Sequence, residues 1–596
     1  MNKKDLISKI KTLTDISTEE RAYLIDLVNT KKKYGIVWEN KTEDVEEQLR
    51  SMLPVLNEIK DKAIVNSAEH PNHILIEGDN LHALTALTFT HEGKIDVIYI
   101  DPPYNTGNKD WKYNNDYVDS EDNFRHSKWL SMMKSRLSLA KNLLSEKGII
   151  ICAIDHYELF TLGCLMDEIF REENRIGIVS VIHKPEGRNQ EKFFGTSNEF
   201  ALFYSKNKSI CNFQKVVLDE QIQNQYDLTD EIGQFKLETF IRKNRGEQGI
   251  DTGLRINRPN SWYPLFVNRD TLEISLNKDN EQYIEILPIG NNNQERTWDA
   301  SEENVQQKIQ NKVLVAKKEK DSTIKIYVKK YANQVIKTHW IDSKYHAVTY
   351  GTRVLTDIIG AGKFNFPKSL FLIRDILKLV SSENAIILDF FAGSGTTLHA
   401  TMALNEEDGG NRQCILVTNN ENNICEEVTY ERNKRVIEGY SNAKGIAIEG
   451  LKNNNLRYFK AGFVPSERNE VNRRKLTQES TDLLCIKENC YGNVSKEFMI
   501  NEKEAKLFTN GLGKYMLVLY HSRNQMEVIE KLTAIIPTIA TKEKIKLYAF
   551  SPEKETIEED FFSVANKIEA VPLPDSIYNA YRATFRTLKL DKTHKQ

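Results

Sequence analysis

Two short segments of the chain combine residue types that suit chemistry on a bound ligand. The first is Asp101-Pro102-Pro103-Tyr104, which directly follows the apolar run VIYI. Because prolines have no N–H donor, the segment offers carboxylate and carbonyl acceptors beside an aromatic ring. Such a set suits a flat ring that presents two N–H donors, as the exocyclic amine of a nucleobase does. The structural alternative is a Pro-Pro turn with a packed tyrosine.

The second segment is the glycine-rich loop DFFAGSGTT at residues 389–397, between the apolar run AIIL and a predicted helix. Glycine lets a backbone approach a ligand closely, and a helix N-terminus exposes N–H groups. The loop has neither the GKS or GKT of a Walker A loop nor a complete GxGxxG dinucleotide fingerprint. Taken alone, it predicts a tight strand-to-helix turn as readily as a cofactor site.

The elements around both segments alternate between strand and helix. Runs rich in Ile and Val, each ending in a polar or acidic turn, are separated by helical patterns: HILIEGDN (73–80), KIDVIYIDPPYN (94–105), KGIIICAID (147–155), NAIILDFFAGSG (384–395) and RQCILVTN (412–419). This alternation predicts βαβ units in a doubly wound, Rossmann-like parallel sheet, with further strands at 176–183 and 198–206. Ligands of such sheets bind at the carboxyl ends of the strands, which is where both segments lie.

The predicted organisation has five parts. These are an N-terminal helical segment (1–65), the first half of the sheet with DPPY (66–205), an inserted polar α+β domain (206–345), the second half of the sheet with the glycine-rich loop (346–450), and a C-terminal α/β domain (451–596).

Composition narrows the class of protein. The 596 residues are 40% hydrophobic and 28% charged, as in ordinary globular proteins, which excludes wholesale disorder, collagen and a coiled-coil rod. No apolar run reaches the length of a membrane span, and no apolar signal segment opens the chain, so we expect a cytoplasmic protein. The seven cysteines form no CxxC pair and, with the histidines, no metal-binding spacing, so we assign no metal.

The two segments together resemble the S-adenosylmethionine-dependent DNA amino-methyltransferases. DPPY precedes the glycine-rich loop with a long insertion between them, and this order resembles the permuted β class. Further segments resemble the modification subunit of type III restriction–modification systems: GDNLHAL, WLSMMKSRLSLAKNLLSEKGIIICAID, FNFPKSLFLIRDIL, GGNRQCILV and LPDSIYNAYR.

The resemblance implies methylation of the N6 amine of adenine, with the target base flipped out of duplex DNA. Asp101 and the Pro102 carbonyl would accept the amine hydrogens, and Tyr104 would stack on the base. The methyl group would pass directly from the cofactor, without a covalent enzyme intermediate.

The resemblance also implies a set of cofactor-binding residues: Asp79, Asn80, Lys368, Asp389, Phe391, Gly393, Gly395, Thr396 and Asn419. Among them, Asp79 would receive the adenine amine, Lys368 the carboxylate and Asp389 the ammonium of the cofactor, while Thr396 and Thr397 would cap the next helix. The sequence departs from the family where an acidic residue usually holds the ribose. It has Thr418-Asn419-Asn420-Glu421 there, and the ribose contact stays open between Asn419 and Glu421.

Basic side chains in and before the insertion predict a surface that contacts DNA, although the whole chain has a net charge of −3. Residues 241–260 contain five basic side chains and two acidic ones. Arginine and lysine are the side chains that contact phosphates and guanine edges. The predicted DNA-binding residues are Arg188, Arg242, Lys243, Arg245, Arg255 and Arg258. A solvated basic loop is the alternative.

For partners, the resemblance implies double-stranded DNA, a homodimer and a separate restriction subunit, since the chain contains no GxxxxGK[ST] motif of a helicase. Four alternatives stay open: a solitary methyltransferase, a cytosine-N4 methyltransferase, a DNA-binding subunit without catalysis and, less favoured, an RNA methyltransferase. Aspartate rather than serine before Pro-Pro favours adenine. The recognition sequence depends on side-chain geometry in the insertion.

Overall fold

The computed structural model describes residues 3–13, 16–17, 20–21, 24, 35–114, 116–187, 193–214, 216, 225–244, 250–290, 293–331, 336–551 and 557–590. It divides the chain into two compact units. Residues 1–214 and 337–596 form the first unit, and residues 215–336 form the second. The second unit lies inside the insertion predicted at 206–345.

The described strands, in chain order, are β1 (Met52–Glu58), β2 (Asn72–Glu77), β3 (Ile95–Ile100), β4 (Asn108–Tyr113), β5 (Asp116–Asp119), β6 (Leu144–Ile154), β7 (Arg175–Ile182), β8 (Asn198–Ser205), β9 (Leu228–Asp230), β10 (Gly233–Thr239), β11 (Leu265–Asn268), β12 (Ile274–Ser275), β13 (Tyr283–Ile286), β14 (Leu314–Lys318), β15 (Ile324–Tyr331), β16 (His339–Trp340), β17 (Ile386–Asp389), β18 (Gln413–Thr418), β19 (Tyr440–Ser441), β20 (Ala447–Ile448), β21 (Asn455–Pro465), β22 (Gly492–Asn493), β23 (Ala505–Thr509), β24 (Tyr515–Leu519), β25 (Ile545–Phe550) and β26 (Ile568–Leu573).

The described α-helices are α1 (Lys3–Thr12), α2 (Asp44–Ser51), α3 (Asn80–His91), α4 (Arg125–Leu143), α5 (Leu159–Phe170), α6 (Glu302–Gln310), α7 (Arg353–Ile359), α8 (Leu370–Val380), α9 (Thr396–Asp408), α10 (Glu431–Glu438), α11 (Glu470–Glu479), α12 (Thr481–Glu488), α13 (Gln525–Ile535), α14 (Ile557–Asp560) and α15 (Asp575–Thr587). Two π-helical segments, Val348–Thr352 and Ile424–Tyr430, precede α7 and α10. Short 3₁₀ turns lie at Lys60–Lys62, Glu172–Asn174, Arg255–Asn257, Pro259–Ser261, Ser343–Tyr345, Glu421–Asn423, Ile536–Thr538 and Phe562–Val564.

A ten-stranded sheet with the order β1-β21-β2-β18-β17-β3-β6-β8-β7-β16 organises the first unit. The six strands from β21 to β6 are parallel, and all of them except β21 were predicted in this sheet. Strand β8 runs antiparallel to both its neighbours, and β1 runs antiparallel to β21. The sheet is therefore mixed, and the prediction of a parallel sheet is wrong at these edges. Antiparallel neighbours such as β7 and β8 need only a short connection, whereas parallel ones need a crossover.

The central strands are buried on both faces, which explains their continuous Ile and Val runs. Ile98 on β3, Ile150 on β6 and Leu388 on β17 are fully buried. Helices α3, α4 and α5 pack in succession, and α8, α9 and α10 pack in a second succession. Every residue of α3 from Leu81 to His91 is buried, because the C-terminal helices α12 and α15 pack against it as well.

The two ends of the first unit differ from the sequence-based prediction. Residues 1–65 were predicted to be helical, and this is wrong for β1, which contains Pro54, a residue disfavoured inside a helix. Strand β21 lies beyond the predicted boundary at residue 450 and still joins the large sheet. Strands β22 to β26 form a separate five-stranded sheet with its own apolar core.

The second unit contains a four-stranded antiparallel sheet of order β14-β15-β10-β9 and a three-stranded sheet of order β12-β11-β13. Its core includes the stacked rings of Phe240 and Trp298, whose centroids are 5.4 Å apart. None of the described helices combines the length and apolar composition that a membrane span requires. All seven cysteines are free thiols, and the described residues contain no cluster of three metal-ligating side chains.

Candidate active site

The carboxyl edge of the central strands brings the two chemical segments together. Strand β17 pairs in parallel with β3, and Leu388 lies opposite Ile98. Asp389 ends β17 and Asp101 follows β3, so both carboxylates lie at one edge of the sheet. Adjacent strands at a change of strand order leave a crevice at this edge, and open α/β sheets bind ligands there.

A largely buried lysine, whose side chain is 13% exposed, connects the DPPY segment to a third carboxylate. The ammonium Nζ of Lys368 lies 3.0 Å from Asp101 Oδ2 and 3.1 Å from Glu199 Oε2. It also donates a hydrogen bond to the Tyr104 hydroxyl oxygen at 2.5 Å, and that hydroxyl donates to Glu199 Oε2 at 3.0 Å. Strand β8 supplies Glu199, and the loop before α8 supplies Lys368.

Opposing influences set the ionisation of this cluster. Burial raises the pKa of Asp101; the Lys368 ammonium opposes that shift and the charge of Glu199 adds to it. Burial also disfavours ionisation of Glu199, but Lys368, His183 and the hydrogen bond from Tyr104 together outweigh it and hold the pKa of Glu199 below its usual value. For Lys368 itself, the two carboxylates outweigh burial and raise its pKa. The cluster thus holds a charged lysine between two acids.

One acceptor of the DPPY segment is unused. Asp101 Oδ2 contacts Lys368, whereas Asp101 Oδ1 is buried and has no hydrogen-bond partner among the described residues. A buried acceptor without a partner is costly in free energy. Its position at the carboxyl edge, in the segment that also carries Tyr104, suits a ligand that brings an N–H donor.

Buried polar contacts hold the DPPY backbone in place. The indole Nε1 of the fully buried Trp129 donates to the Pro103 carbonyl at 2.7 Å. Asn105 has a positive φ of 56°, which asparagine tolerates better than most residues. Its side chain donates to Glu158 at 2.5 Å and accepts from the Trp111 indole at 3.1 Å. The turn after Tyr104 is therefore fixed on both sides.

The glycine-rich loop holds the carboxylate of its own first residue, Asp389. Asp389 Oδ1 accepts from the Phe391 amide at 3.0 Å, and Oδ2 accepts from the Thr397 hydroxyl at 2.5 Å. Burial raises the pKa of Asp389 to about 7, although both hydrogen bonds favour the charged form. Both oxygens of Asp389 thus have partners within its own loop.

Gly395 has a φ of 72°, and a Cβ there would lie 2.4 Å from Asn433 Nδ2, so its conformation and its packing against α10 favour glycine. Its predicted contact with a cofactor stays a prediction. The predicted capping of the next helix by Thr396 and Thr397 is wrong. Gly395 is the N-cap and no side chain caps the helix. The Thr396 hydroxyl accepts from the buried Arg432 at 2.7 Å instead.

Asp79 and Asn80 lie after β2, two strands away from β17. Asp79 caps α3 through the Leu81 amide at 2.8 Å, and its other oxygen lies 3.5 Å from Arg136. Asn80 donates to the Phe390 carbonyl at 2.9 Å, so it ties this turn to the glycine-rich loop. Arg136 is 3% exposed and also binds the buried Glu43. The sequence analysis did not identify Arg136 as a residue that holds the Asp79 turn.

The segment after β18 gives no defined contact for a ribose. Asn419 is exposed, and its side chain accepts from the Glu421 amide at 3.4 Å. Glu421 lies 3.5 Å from Lys112 Nζ. Which of Asn419 and Glu421 would contact the ribose therefore stays open.

Two of the predicted DNA-binding arginines form ion pairs with acidic side chains, which the sequence did not indicate. Arg242 pairs with Asp299 at 3.0 Å, and Arg255 pairs with Glu295 at 3.1 Å, so acids outside the 241–260 window compensate both. Exposed side chains occur at Lys243 and Arg258. Arg188 and Arg245 lie outside the described residues.

Glu199 is the site residue that the sequence analysis missed. The sequence offered one indication of its role, a charged residue at the start of the apolar strand NEFALFYS. In the structure Glu199 is only 5% exposed. A carboxylate is rarely buried unless it is paired. Its partners come from distant parts of the chain, so the sequence did not identify them.

The fold and site together define an α/β protein with a candidate ligand site at the carboxyl edge of its mixed sheet, and sequence comparison identifies the family. Residues 95–442 match the N6_N4_Mtase family, described as DNA methylase, so the chain belongs to this family. Membership confirms the predicted activity class, DNA methyl transfer with S-adenosylmethionine as the methyl donor.

Two relatives show the extent of the similarity. The type II methyltransferase M.KpnI of Klebsiella pneumoniae is 33% identical over 383 residues, which cover 64% of this chain and 88% of the relative. The type III restriction-modification enzyme EcoPI Mod subunit of Escherichia phage P1 is 29% identical over 429 residues, which cover 66% of this chain and 64% of the relative. The alignment therefore spans somewhat less than two thirds of the EcoPI subunit.

The raised pKa of Asp389 predicts a pH-dependent effect of Asp389→Asn. Because the folded state binds this proton more tightly than the unfolded state, the contribution of Asp389 to stability falls as pH rises from about 4 to about 7. The neutral asparagine does not titrate. We therefore expect the melting temperature of the variant, relative to that of wild type, to be several degrees higher at pH 8 than at pH 5.

Scanning calorimetry of both proteins at the two pH values measures this difference. Asp116→Asn, at an exposed position, is the control and should give the same difference at both pH values. An Asp389→Asn difference that does not change with pH would contradict the buried, proton-binding state of this carboxyl.

Proposed function

We propose that the chain methylates the N6 amine of adenine in a short DNA sequence, as the modification subunit of a type III restriction–modification system. The observation that carries the choice of chemistry is the buried, unpartnered Asp101 Oδ1, in the segment that also carries Tyr104. An acceptor and an aromatic ring in one segment suit a base that is flipped out of the DNA stack.

The residues at the carboxyl edge fit S-adenosylmethionine. Gly393 has a φ of 48°, and a Cβ there would lie 3.1 Å from the Phe364 ring, so glycine keeps a narrow space open beside the loop. Loop residues Phe391 and Gly393 would hold the cofactor, and Asp79, whose side chain is 33% exposed, would accept its adenine amine. Asn80 would hold the two turns at their present spacing.

Two roles implied by the family resemblance would require new contacts. Lys368 would meet the cofactor carboxylate only by loosening its contacts with Asp101 and Glu199. Asp389 would meet the ammonium only as a further contact, because each of its oxygens already accepts a hydrogen bond within its loop. We propose instead that Lys368 serves the DPPY segment and that Asp389 orders the loop.

The proposed reaction is a direct transfer. S-adenosylmethionine supplies an electrophilic methyl group when bound. Asp101 Oδ1 and the Pro102 carbonyl accept the two hydrogens of the target amine, which directs the nitrogen lone pair out of the ring. The nitrogen would gain the methyl group as the bond between that group and the sulfonium sulfur breaks, with the electron pair going to the sulfur. The nitrogen would also lose one proton, which Asp101 would accept. Positioning and electrostatics supply the catalysis.

The second unit is the proposed reader of the DNA sequence. Its exposed Lys243 and Arg258 would contact phosphates or base edges directly, while Arg242 and Arg255 would first have to exchange their acidic partners. Arg188 and Arg245 remain part of the proposed surface on the sequence alone.

The type III assignment rests on relatives. Four curated relatives are Mod subunits of type III enzymes, including EcoPI and StyLTI. We propose the same arrangement here: a homodimer on double-stranded DNA, with a separate restriction subunit, acting in the cytoplasm. M.KpnI, a type II methyltransferase, supports methylation without such a subunit as the second candidate.

Expression of the chain alone in a methylation-deficient host tests the reaction. We expect N6-methyladenine at one short asymmetric motif, on one strand, because type III sites are read in one orientation. Long-read sequencing of the host DNA measures it, with Asp101→Ala as the control that should leave the motif unmethylated. N4-methylcytosine, or a mark that persists in Asp101→Ala, would contradict the proposal.

The role of Tyr104 gives a second test. We expect Tyr104→Ala to lose most methyl transfer while S-adenosylmethionine binding stays within about threefold of wild type, because stacking on the base is lost and base–aromatic stacking contributes about 1–3 kcal/mol. Equilibrium binding of radiolabelled cofactor and methylation of plasmid DNA measure the two quantities. Loss of cofactor binding in this variant would place Tyr104 on the cofactor side instead.

A further inference from the structure

We propose that Glu199 is a positioning residue for methyl transfer, acting through Tyr104 and Lys368. The inference rests on the roles proposed above for Asp101 and Tyr104. It adds a residue from β8, outside both motifs, to the apparatus that prepares the DPPY segment for its target base.

The first support is a closed triangle of contacts, which we call the Glu199 triangle. Lys368 Nζ, the Tyr104 hydroxyl and Glu199 Oε2 lie 2.5, 3.0 and 3.1 Å from one another. Each member has two contacts to the others, so none can rotate without breaking two interactions. The triangle therefore fixes the far end of the Tyr104 side chain.

The triangle leaves the faces of the Tyr104 ring free of the ammonium. Lys368 Nζ is 2.5 Å from the hydroxyl oxygen but 4.8 Å from the ring centroid. These two distances place the ammonium beyond the hydroxyl end of the ring rather than above its centre. Tyr104 packs against the apolar core of the first unit, so a base would stack on the part of the ring that this packing leaves uncovered.

The second support is the cost of burying this carboxylate. Glu199 is 5% exposed on a strand that continues with buried apolar residues, where an apolar side chain would satisfy packing alone. Burying a charge without a partner costs several kcal/mol. Tyr104 and Lys368, which hold Glu199, belong to the site, and His183, which follows β7, also favours its charged form. The arrangement thus serves the site rather than the packing of β8.

The third support concerns Asp101. Because Lys368 is shared by two carboxylates at nearly equal distances, its ammonium stays on the Oδ2 side of Asp101. Asp101 Oδ1 then remains free to accept from the target amine. Without Glu199, the ammonium would have one carboxylate partner and no fixed direction of approach.

Single-turnover methylation of unmethylated plasmid DNA, with tritiated S-adenosylmethionine and enzyme in excess, tests the inference. For Glu199→Ala we expect a rate about tenfold lower, the size expected when a hydrogen bond to a charged group is lost. Binding of cofactor and of plasmid DNA should stay within about threefold of wild type. Glu199→Gln keeps an acceptor for the Tyr104 hydroxyl and should give an intermediate rate.

A double-mutant cycle separates positioning from general damage. Tyr104→Phe removes only the hydroxyl, and we expect it to slow transfer in wild type but by less than about twofold further in the Glu199→Ala background, because contacting residues that act together are not additive. Additive losses would overturn the inference.

The chain contains a matched control away from the site. Glu488 is also buried, lies 3.0 Å from Lys514 Nζ and accepts from the Tyr548 hydroxyl at 2.7 Å. Glu488→Ala should lower stability without slowing transfer by the folded enzyme. If it slows transfer as much as Glu199→Ala does, or if Glu199→Ala matches wild type, the inference fails. If wild type is inactive or Asp101→Ala remains active, the proposed function fails instead.

Discussion

The parallel pairing of β17 with β3 is the constraint on which the site depends. It places the end of the glycine-rich loop's strand beside the start of DPPY, although a long insertion separates them in the chain. Two carboxylates, Asp389 and Asp101, therefore lie at one edge of the sheet, where the charge of Asp101 adds to the effect of burial in raising the pKa of Asp389. The fold accommodates them differently. Asp389 is hydrogen-bonded by its own loop and binds a proton near neutral pH, whereas Asp101 is neutralised by Lys368.

Lys368 links this edge to the antiparallel side of the sheet. Its loop precedes α8, while Glu199 comes from β8, which runs against its neighbours. The first residues of an antiparallel strand lie at the edge of the sheet where the parallel strands end. That reversal explains why an acid at the beginning of β8 reaches the same place as residues that follow β3 and β17. The mixed character of the sheet is thus part of how the site is assembled.

Local sequence was sufficient where local physics decides the outcome. Buried strands such as β3 and β6 need apolar residues on both faces, and turns at their ends need polar, proline or glycine residues, so both the strands and the two motifs were predictable. The resemblance then supplied the family, which the comparisons confirmed. It was less reliable for single side chains. Thr396 and Thr397 have the right residue type for a helix cap, but Gly395 occupies that position and nearby buried groups bind both hydroxyls.

The sequence by itself determined the class of chemistry, the strands that carry it and the insertion that separates them, because apolar periodicity and short motifs are written in contiguous residues. Only the tertiary structure decided which charges meet. Glu199 joins Lys368 and Tyr104, and Asp299 and Glu295 pair with Arg242 and Arg255, across separations that no sequence window contains. The strength of a charge depends on burial and on partners within a few ångströms, and both are set by the folding of distant segments onto one another.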